Sequence, residues 1–303
     1  MNSKQLNCIV INPFAGNGRG KKLAGRLKKN PDFKGLEIHS PVNLVEAAAI
    51  YNELNRKDVH LMLAGGDGTF NSVVNLVEPP YNFKISFIPS GSGNDLARYF
   101  KLGSNAKTEL KKAMLRGTES KMDVWDTTIS FADGTIEKRK FINTLGVGFD
   151  AYVGTLKEKK KFLTGIAVYV VSLFQALFSY DSVTYKIQID GDLKYSSEAM
   201  FITTGNGMYS GGGFKLTPNA VVDDGLLEMC IVDTMSLPKI FVNLPKAITG
   251  SHVRINETTL FNTNSYTMLL DKPAYIHLDG ETYSKKATSV RVELSPHKLG
   301  IST

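Results

Sequence analysis

Three glycine-rich stretches carry most of the chemistry that this 303-residue sequence could perform. In the second, AGGDGTFNSVVN from Ala64, Gly65-Gly66-Asp67-Gly68-Thr69 stands between the apolar run VHLML and a helical pattern. A strand, a glycine turn and a helix start make an anion site. The first N–H groups of a helix lack intrahelical partners and carry partial positive charge. Glycine also lets the backbone approach a phosphate closely. Asp67 would repel a phosphate there unless a cation stood between them. It could instead simply cap the following helix, although a cap needs no three surrounding glycines. The third stretch, PSGSGNDLAR from Pro89, repeats the arrangement after KISFI: Gly91 and Gly93 flank Ser92, and Asn94-Asp95 open a helix. Two such loops at the ends of neighbouring strands would face one cleft. Carboxylates beside phosphates suit Mg²⁺, a hard ion that takes oxygen ligands.

The first stretch is NPFAGNGRGKK from Asn12. It is not a Walker A loop, because only three residues separate Gly16 from Gly20-Lys21, and Lys22 follows where Ser or Thr is needed. It is not a dinucleotide fingerprint either, because Lys21 stands where the last glycine is required. Two readings stay open: a strand-to-helix turn with a basic first helical turn, or a phosphate-facing loop with Arg19 aimed at an anion.

The elements that must position these loops alternate. LNCIVI, LEIHS, VHLML and KISFI read as strands, and CIVI and HLML are apolar enough to be buried on both faces, as in a parallel sheet. Helical patterns cover Arg19–Lys29, Leu44–Arg56, Phe70–Val77 and Ala106–Leu115. The alternation predicts an α/β domain over residues 1–125, with ligands beyond the carboxyl ends of its strands. Residues 126–295 read as a β-rich domain, a sandwich with turns at Asp133-Gly134 and Asp190-Gly191. The tail, 296–303, could pack back on the first domain. From Lys157 to Tyr180 the β texture breaks, and Leu163, Ile166, Val170, Leu173 and Leu177 recur at helical spacing. Gln175, Ser172 and Thr164 interrupt the apolar run 162–178, which favours a buried or interfacial helix over a membrane span. Its basic prelude, Lys157 and Lys159–Lys161, is either a solvated face or a contact for anionic lipid.

The net charge of +7 suits anionic partners. No nucleic-acid motif and no aromatic–basic interleaving accompanies it, so nucleic acid is not expected. Cys8 and Cys230 form no metal or redox spacing, the start of the chain is too polar for a signal peptide, and a reducing, cytoplasmic setting is expected.

Gly-Gly-Asp-Gly-Thr with a following Asn, then Pro-x-Gly-Ser-x-Asn-Asp, resembles the diacylglycerol kinase catalytic-domain family, which includes bacterial lipid kinases and sphingosine and ceramide kinases. NPFAG, MDVWDTT, FINTLGVGFDA, GGGFKLTPNAVVDDGLLE and LDGE extend the resemblance over nearly the whole chain. It implies a phosphofructokinase-like three-layer α/β domain followed by a β-sandwich, with ATP and Mg²⁺ as cofactors. By the same resemblance, Asn12, Pro13, Phe14, Ala15, Gly16, Ser40, Gly65, Gly66, Asp67, Gly68, Thr69, Phe70, Asn71 and Ser92 line the nucleotide site. Ala15 stands where the family pattern has Ser and removes a hydroxyl contact; Ser92 stands for Thr and keeps one. Asp67, Asp95 and Asp123 form a water-linked network around the catalytic Mg²⁺, and Glu281 is the general base. The Asp224 side chain with the carbonyls of Val221 and Leu226 holds a second, structural Mg²⁺. Spacing alone favours a tight turn at Asp223-Asp224-Gly225 and a plain hairpin turn at Asp279-Gly280.

The expected activity is transfer of the γ-phosphoryl of ATP to the primary hydroxyl of diacylglycerol or a similar lipid, at the inner face of an anionic membrane. Two alternatives stand beside it: a soluble kinase of NAD or a sugar phosphate sharing Gly65–Thr69, and a non-catalytic lipid-binding regulator with the same fold. A homodimer through an exposed strand edge is a further open option.

Overall fold

Cys8, Ile9, Val10 and Ile11 are all completely buried, so the first strand has no solvent face. This computed structural model describes residues 7–57, 59–115, 118–158, 171–172 and 175–303. The chain divides into two compact units, Met1–Val124 with Pro296–Thr303, and Trp125–Ser295.

The first unit is built on strands β1 (Asn7–Ile11), β2 (Glu37–His39), β3 (His60–Gly65), β4 (Lys84–Pro89) and β5 (Glu119–Met122). The C-terminal strand, β17 (Leu299–Ser302), completes the sheet in the order β2-β1-β3-β4-β17-β5. β17 runs parallel to β4, and β5 is antiparallel to it. Ser86 donates to the Ser302 carbonyl at 2.7 Å, which fixes the tail in place. Neither β5 nor β17 is legible in the sequence: GTESKM and KLGIST are too short and too polar to show a period.

Helices α1 (Ala15–Lys28), α2 (Leu44–Asn55), α3 (Asp67–Leu76), α4 (Asp95–Tyr99) and α5 (Ala106–Met114) cover the sheet. Ile9, Ile11, Met62 and Ala64 pack with Leu27 of α1 and Leu110 of α5. The alternate residues Cys8, Val10, Leu61 and Leu63 are equally buried, so helices cover both faces in three layers. Asn43 caps α2 by accepting from the Glu46 N–H, and Asn105 caps α5 by accepting from the Lys107 and Thr108 N–H groups. Two helix starts differ from the periodicity. α1 begins at Ala15 rather than Arg19, so Gly16, Gly18 and Gly20 fall within its span, with Gly16 and Gly18 at the left-handed φ of +60° and +86° that glycine tolerates. α3 begins at Asp67 rather than Phe70, with Gly66 as its cap residue. Glycine depresses helix propensity and hid both first turns.

The second unit is one antiparallel network of 11 strands. Its main path is β15 (Glu281–Thr282), β14 (Ile276–Leu278), β8 (Thr144–Gly148), β10 (Asp192–Gly205), β9 (Val183–Ile189), β13 (Ser265–Ala274), β16 (Ala287–Leu294), β6 (Trp125–Phe131) and β7 (Ile136–Phe141). β11 (Leu227–Asp233) pairs with β10, and β12 (Thr258–Thr263) with β11. Trp125 and Ile129 of β6 share one core with Leu145 and Val147 of β8 and Ile276 of β14, although several strands separate them in the sheet. The sheet must therefore curl on itself, as a sandwich-like domain does. β10 makes this possible: its first half pairs with β9, and its second half lies between β8 and β11, with a register shift near Ala199. The Asp190-Gly191 turn forms as expected, with φ of +53° and +83°, the two-residue hairpin geometry that Asp-Gly favours.

The described residues of the unit also include helix α6 (Phe149–Glu158) and helix α7 (Leu237–Thr249). α7 went unseen in the sequence because Pro238 and Pro245 read as breaks. Pro238 sits in its first turn, where the missing N–H costs nothing, and Gly250 at φ +82° ends it. Among the described residues no helix is long and apolar enough to cross a membrane. Most of the helix expected from Lys157 to Tyr180, including Lys159–Lys161, lies outside the described residues.

Candidate active site

The ends of β3 and β4 meet at a glycine cradle. Gly65 pairs with Pro89, and the Ser90 and Gly91 N–H groups both donate to the Gly65 carbonyl, at 2.9 and 3.1 Å. A Cβ on Gly91 would stand 2.4 Å from the Gly66 Cα, so this approach of two backbones excludes any side chain. Asn94, at φ +55°, clamps the third stretch by accepting from the Gly91 N–H and donating to its carbonyl, both at 3.0 Å. Ser92 is exposed at the tip of that turn.

Asp67 does cap a helix, but a neighbouring one. Its Oδ2 accepts from the Asp95 N–H and its Oδ1 from the Leu96 N–H, both at 3.1 Å, at the start of α4. One carboxylate thus pins the third stretch to the second. Burial pushes the Asp67 carboxyl above its usual range, against the pull of these amide donors. Asp95 is buried and paired with Arg98 at 2.9 Å, and Asp123 is fully buried and paired with Lys298 of the C-terminal tail at 2.7 Å. The spacing of Asp95 and Arg98 makes that pair readable on a helix, but nothing in the sequence joins residues 123 and 298. The three acids do not form one direct ligand shell. Among the described residues, the set of three or more metal-ligating side chains with atoms all within 4.8 Å of one another lies elsewhere. Their donors are all carboxylate oxygens, which fits Mg²⁺ held largely through its own waters.

Arg19, expected to face an anion, is occupied otherwise. Its Nη2 donates to the Gly91 carbonyl at 2.9 Å and its Nε to the Gly16 carbonyl at 3.1 Å, tying the first stretch to the third. Asn12 ties it to the second by donating to Thr69 Oγ1 at 2.9 Å. Beside this link opens a cavity of about 190 Å³ lined by Asn12, Phe14, Val42, Leu44, Tyr51 and Thr69. Phe14, Val42 and Leu44 are more than 60% exposed, which leaves their apolar surface free for a flat ring. Val42, Leu44 and Tyr51 were missed in the sequence, where Leu44 and Tyr51 fall within the helical pattern Leu44–Arg56 and Val42 just before it. Ser40 lies close by, its hydroxyl 3.4 Å from the Ile11 carbonyl. Pro13 lies between Asn12 and Phe14, and Ala15, Gly16 and Gly68 sit in the first turns of α1 and α3. Phe70 does not line this space. It is buried against Phe87 with ring centroids 4.3 Å apart, which leaves only its backbone for a ligand. Asn71 is buried and accepts from Asn75.

In the second unit Asp279 and Gly280 form the β14–β15 hairpin turn with φ of +50° and +81°, and Glu281 emerges exposed, paired with Leu278. The turn is more than a turn. Asp279 is buried, and its carboxylate accepts from the Ile142, Asn143 and Thr144 N–H groups at 3.0, 2.8 and 2.9 Å. In the other loop, Asp224 accepts from the Leu226 N–H at 2.9 Å, a short local turn flanked by partly exposed Val221 and Leu226. A carboxylate has lone pairs left after one such bond, so the turn and an all-oxygen metal site are compatible.

The same unit encloses an apolar cavity of about 100 Å³ between α6, α7 and the sheet, lined by Phe149, Val153, Met200, Leu216, Ile240 and Leu244. Asp150 stands in its wall. Its Oδ2 accepts from Thr203 Oγ1 at 2.7 Å and lies 3.2 Å from His277 Nε2. A Cβ on Gly146 would stand 2.1 Å from that oxygen, so the cluster needs glycine there. His252 also lines the cavity, with Nε2 3.2 Å from the Leu216 carbonyl and 3.7 Å from Cys230 Sγ. Burial holds its imidazole below the usual value, against the pull of the Leu216 and Lys246 carbonyls. The unfolded chain therefore takes up a proton that the folded chain resists. Stability from this group is complete above its usual value, ~6.5, and is lost as pH falls from there through the lower folded value. Thermal melts from pH 8 to 5 are expected to fall less steeply in His252→Gln, which keeps a donor for Leu216. Identical slopes in the two proteins would exclude His252 as a source of the loss.

Residues 7–127 match the diacylglycerol kinase catalytic domain. Residues 143–303 match a domain described as the YegS C-terminal NAD kinase beta sandwich-like domain. A Mycobacterium tuberculosis protein named diacylglycerol kinase is 26% identical over 285 residues, 90% of this chain and 87% of its own. A Staphylococcus aureus protein of the same name is 28% identical over 244 residues, 78% of this chain and 72% of its own. A crystal structure of a diacylglycerol kinase from Bacillus anthracis shares the fold with a TM-score of 0.68 at 20% identity, over 99% of this chain and 97% of that one. The matches cover both units, so the alternatives of a soluble NAD or sugar-phosphate kinase and of a non-catalytic regulator are not favoured. The chain belongs to the diacylglycerol kinase catalytic-domain family and is a lipid kinase, a phosphotransferase with an alcohol acceptor that draws on ATP.

Proposed function

We propose that the protein transfers the γ-phosphoryl group of ATP to the primary hydroxyl of diacylglycerol or a closely similar lipid, giving a phosphatidic acid. The observation that carries the reading is the cradle where Gly66 and Gly91 touch under the Asp67 carboxylate. Two glycine turns converge there with the start of α3, and backbone N–H groups at a helix start favour the phosphates of a nucleotide. The adenine ring takes the cavity beside Asn12 and Phe14, with Ser40 and Thr69 at its edge and Ser92 toward the phosphates. Asp67, Asp95 and Asp123 would hold Mg²⁺ through water, and the ion when bound neutralises phosphate charge. Asp224 with the carbonyls of Val221 and Leu226 would hold a second, structural ion.

Phosphoryl transfer asks the protein mainly for positioning and charge neutralisation. Glu281 accepts the proton of the lipid hydroxyl as its oxygen bonds to the γ-phosphorus, and ADP departs with the bridging oxygen. The apolar cavity between α6 and α7 suits part of an acyl chain. The lipid would be drawn from an anionic membrane surface to which the net charge of +7 attracts the protein. The test uses purified protein, labelled ATP and anionic vesicles carrying diacylglycerol, with NAD and sugar phosphates as competing acceptors. Label is expected in phosphatidic acid. Label in NAD or a sugar phosphate, or none in any lipid, would overturn the proposal.

A further inference from the structure

We propose that Cys8, Glu37 and His39 form a binding site for a zinc-class divalent cation on the outer strands of the first sheet. Cys8 on β1 lies directly across from Glu37 on the edge strand β2. His39, two residues on, shares the face of Glu37 because side chains alternate along a strand. The three side chains bring a sulfur, a nitrogen and an oxygen all within 4.8 Å of one another, with His39 Nε2 2.8 Å from Glu37 Oε1. A thiol, an imidazole and a carboxylate are the ligand types of zinc sites, and the soft sulfur disfavours Mg²⁺ and Ca²⁺. Cys8 is fully buried, whereas Glu37 and His39 are partly exposed, so an ion would enter from their side and keep a fourth position for water.

A metal-bound cysteine is a thiolate, so uptake of the ion would release the Cys8 proton. The plain alternative is a core cysteine beside a surface ion pair between His39 and Glu37. Convergence of all three ligand types on one point is what that alternative leaves unexplained. The site is separate from the acids of the glycine cradle. It is joined to the nucleotide side by sequence: Ser40 follows His39, and Pro41, Asn43 and Leu44 line the cavity beside Asn12. A bound ion would fasten that segment to β1.

The experiment titrates the metal-free full chain with Zn²⁺, and with Co²⁺ as an optical probe. One equivalent is expected to bind, and Co²⁺ to give a thiolate-to-metal charge-transfer band. Cys8→Ser should abolish the band. His39→Gln and Glu37→Gln, at partly exposed positions that tolerate the change, should abolish stoichiometric Zn²⁺ binding. Cys230→Ser should retain both. Absence of stoichiometric binding in the native chain, or a band and stoichiometry that survive all three ligand substitutions, overturns the proposal. Neither readout depends on kinase activity.

Discussion

Glu281→Gln is expected to lower kcat by roughly 10²–10⁴, the usual worth of general base catalysis, while leaving folding and Mg·ATP binding intact. A lipid hydroxyl is a weak nucleophile at neutral pH, and the proton it loses needs an acceptor as the new bond forms. Glu281 is exposed and sits on the strand side of a two-residue turn, so glutamine fills its place with no cavity and no buried polar group. The melting temperature should therefore stay within error of the native value. The contrast is Asp67→Asn. There the new NH₂ group would face the N–H of Asp95 or Leu96, donor against donor, and α4 would lose half its anchor. That protein should lose nucleotide affinity as well as turnover. Rapid-quench and steady-state assays with diacylglycerol in anionic vesicles, beside nucleotide-binding titrations, separate the two patterns. Near-native turnover by Glu281→Gln would remove it from the mechanism and return Asp67 as the candidate base.

Legibility in the sequence followed the range of the physics. The four parallel strands were readable because Cys8–Ile11 and Leu61–Ala64 are apolar at every position, which only a doubly covered strand sustains. The glycine turns were readable as backbone features, and the contact of Gly66 with Gly91 explains why glycine recurs in both. What stayed hidden depends on distant partners. Asp67 looked like a local cap or a bare metal ligand, but it holds amides 28 and 29 residues away. Lys298 as the partner of Asp123, and β17 as a strand, exist only once the C-terminus returns to the first sheet. Arg19 looked free for an anion because no local pattern shows the Gly91 carbonyl that it meets. The Asp150, Thr203 and His277 cluster, drawn from α6, β10 and β14, has no spacing to read.

Asp279 is the clearest case of a residue whose local reading understates it, and it carries the second large effect. Asp190 and Asp279 both open Asp-Gly hairpin turns, at φ +53° and +50°. Alanine at either pays the same strain in the left-handed region, about 1 kcal/mol. Asp190 is exposed, and its loss should cost little beyond that. Asp279 is buried and accepts from three consecutive main-chain N–H groups. Its removal would leave those donors buried without an acceptor, at about 1–3 kcal/mol for each one that relaxation cannot rescue. A loss of roughly 3–5 kcal/mol is expected for Asp279→Ala, which in a unit of this size lowers the melting temperature by on the order of 10 °C. Asp279→Asn should fall between, because the amide oxygen can keep the Asn143 and Thr144 bonds while the NH₂ group opposes the Ile142 N–H. Activity should fall with both variants even below their melting temperatures, since Asp279 ties the Glu281 hairpin to the start of β8. Paired melts of the 190 and 279 variants are the measurement. Equal losses at the two positions would show that the three amides find other partners and that Asp279 is only a turn residue.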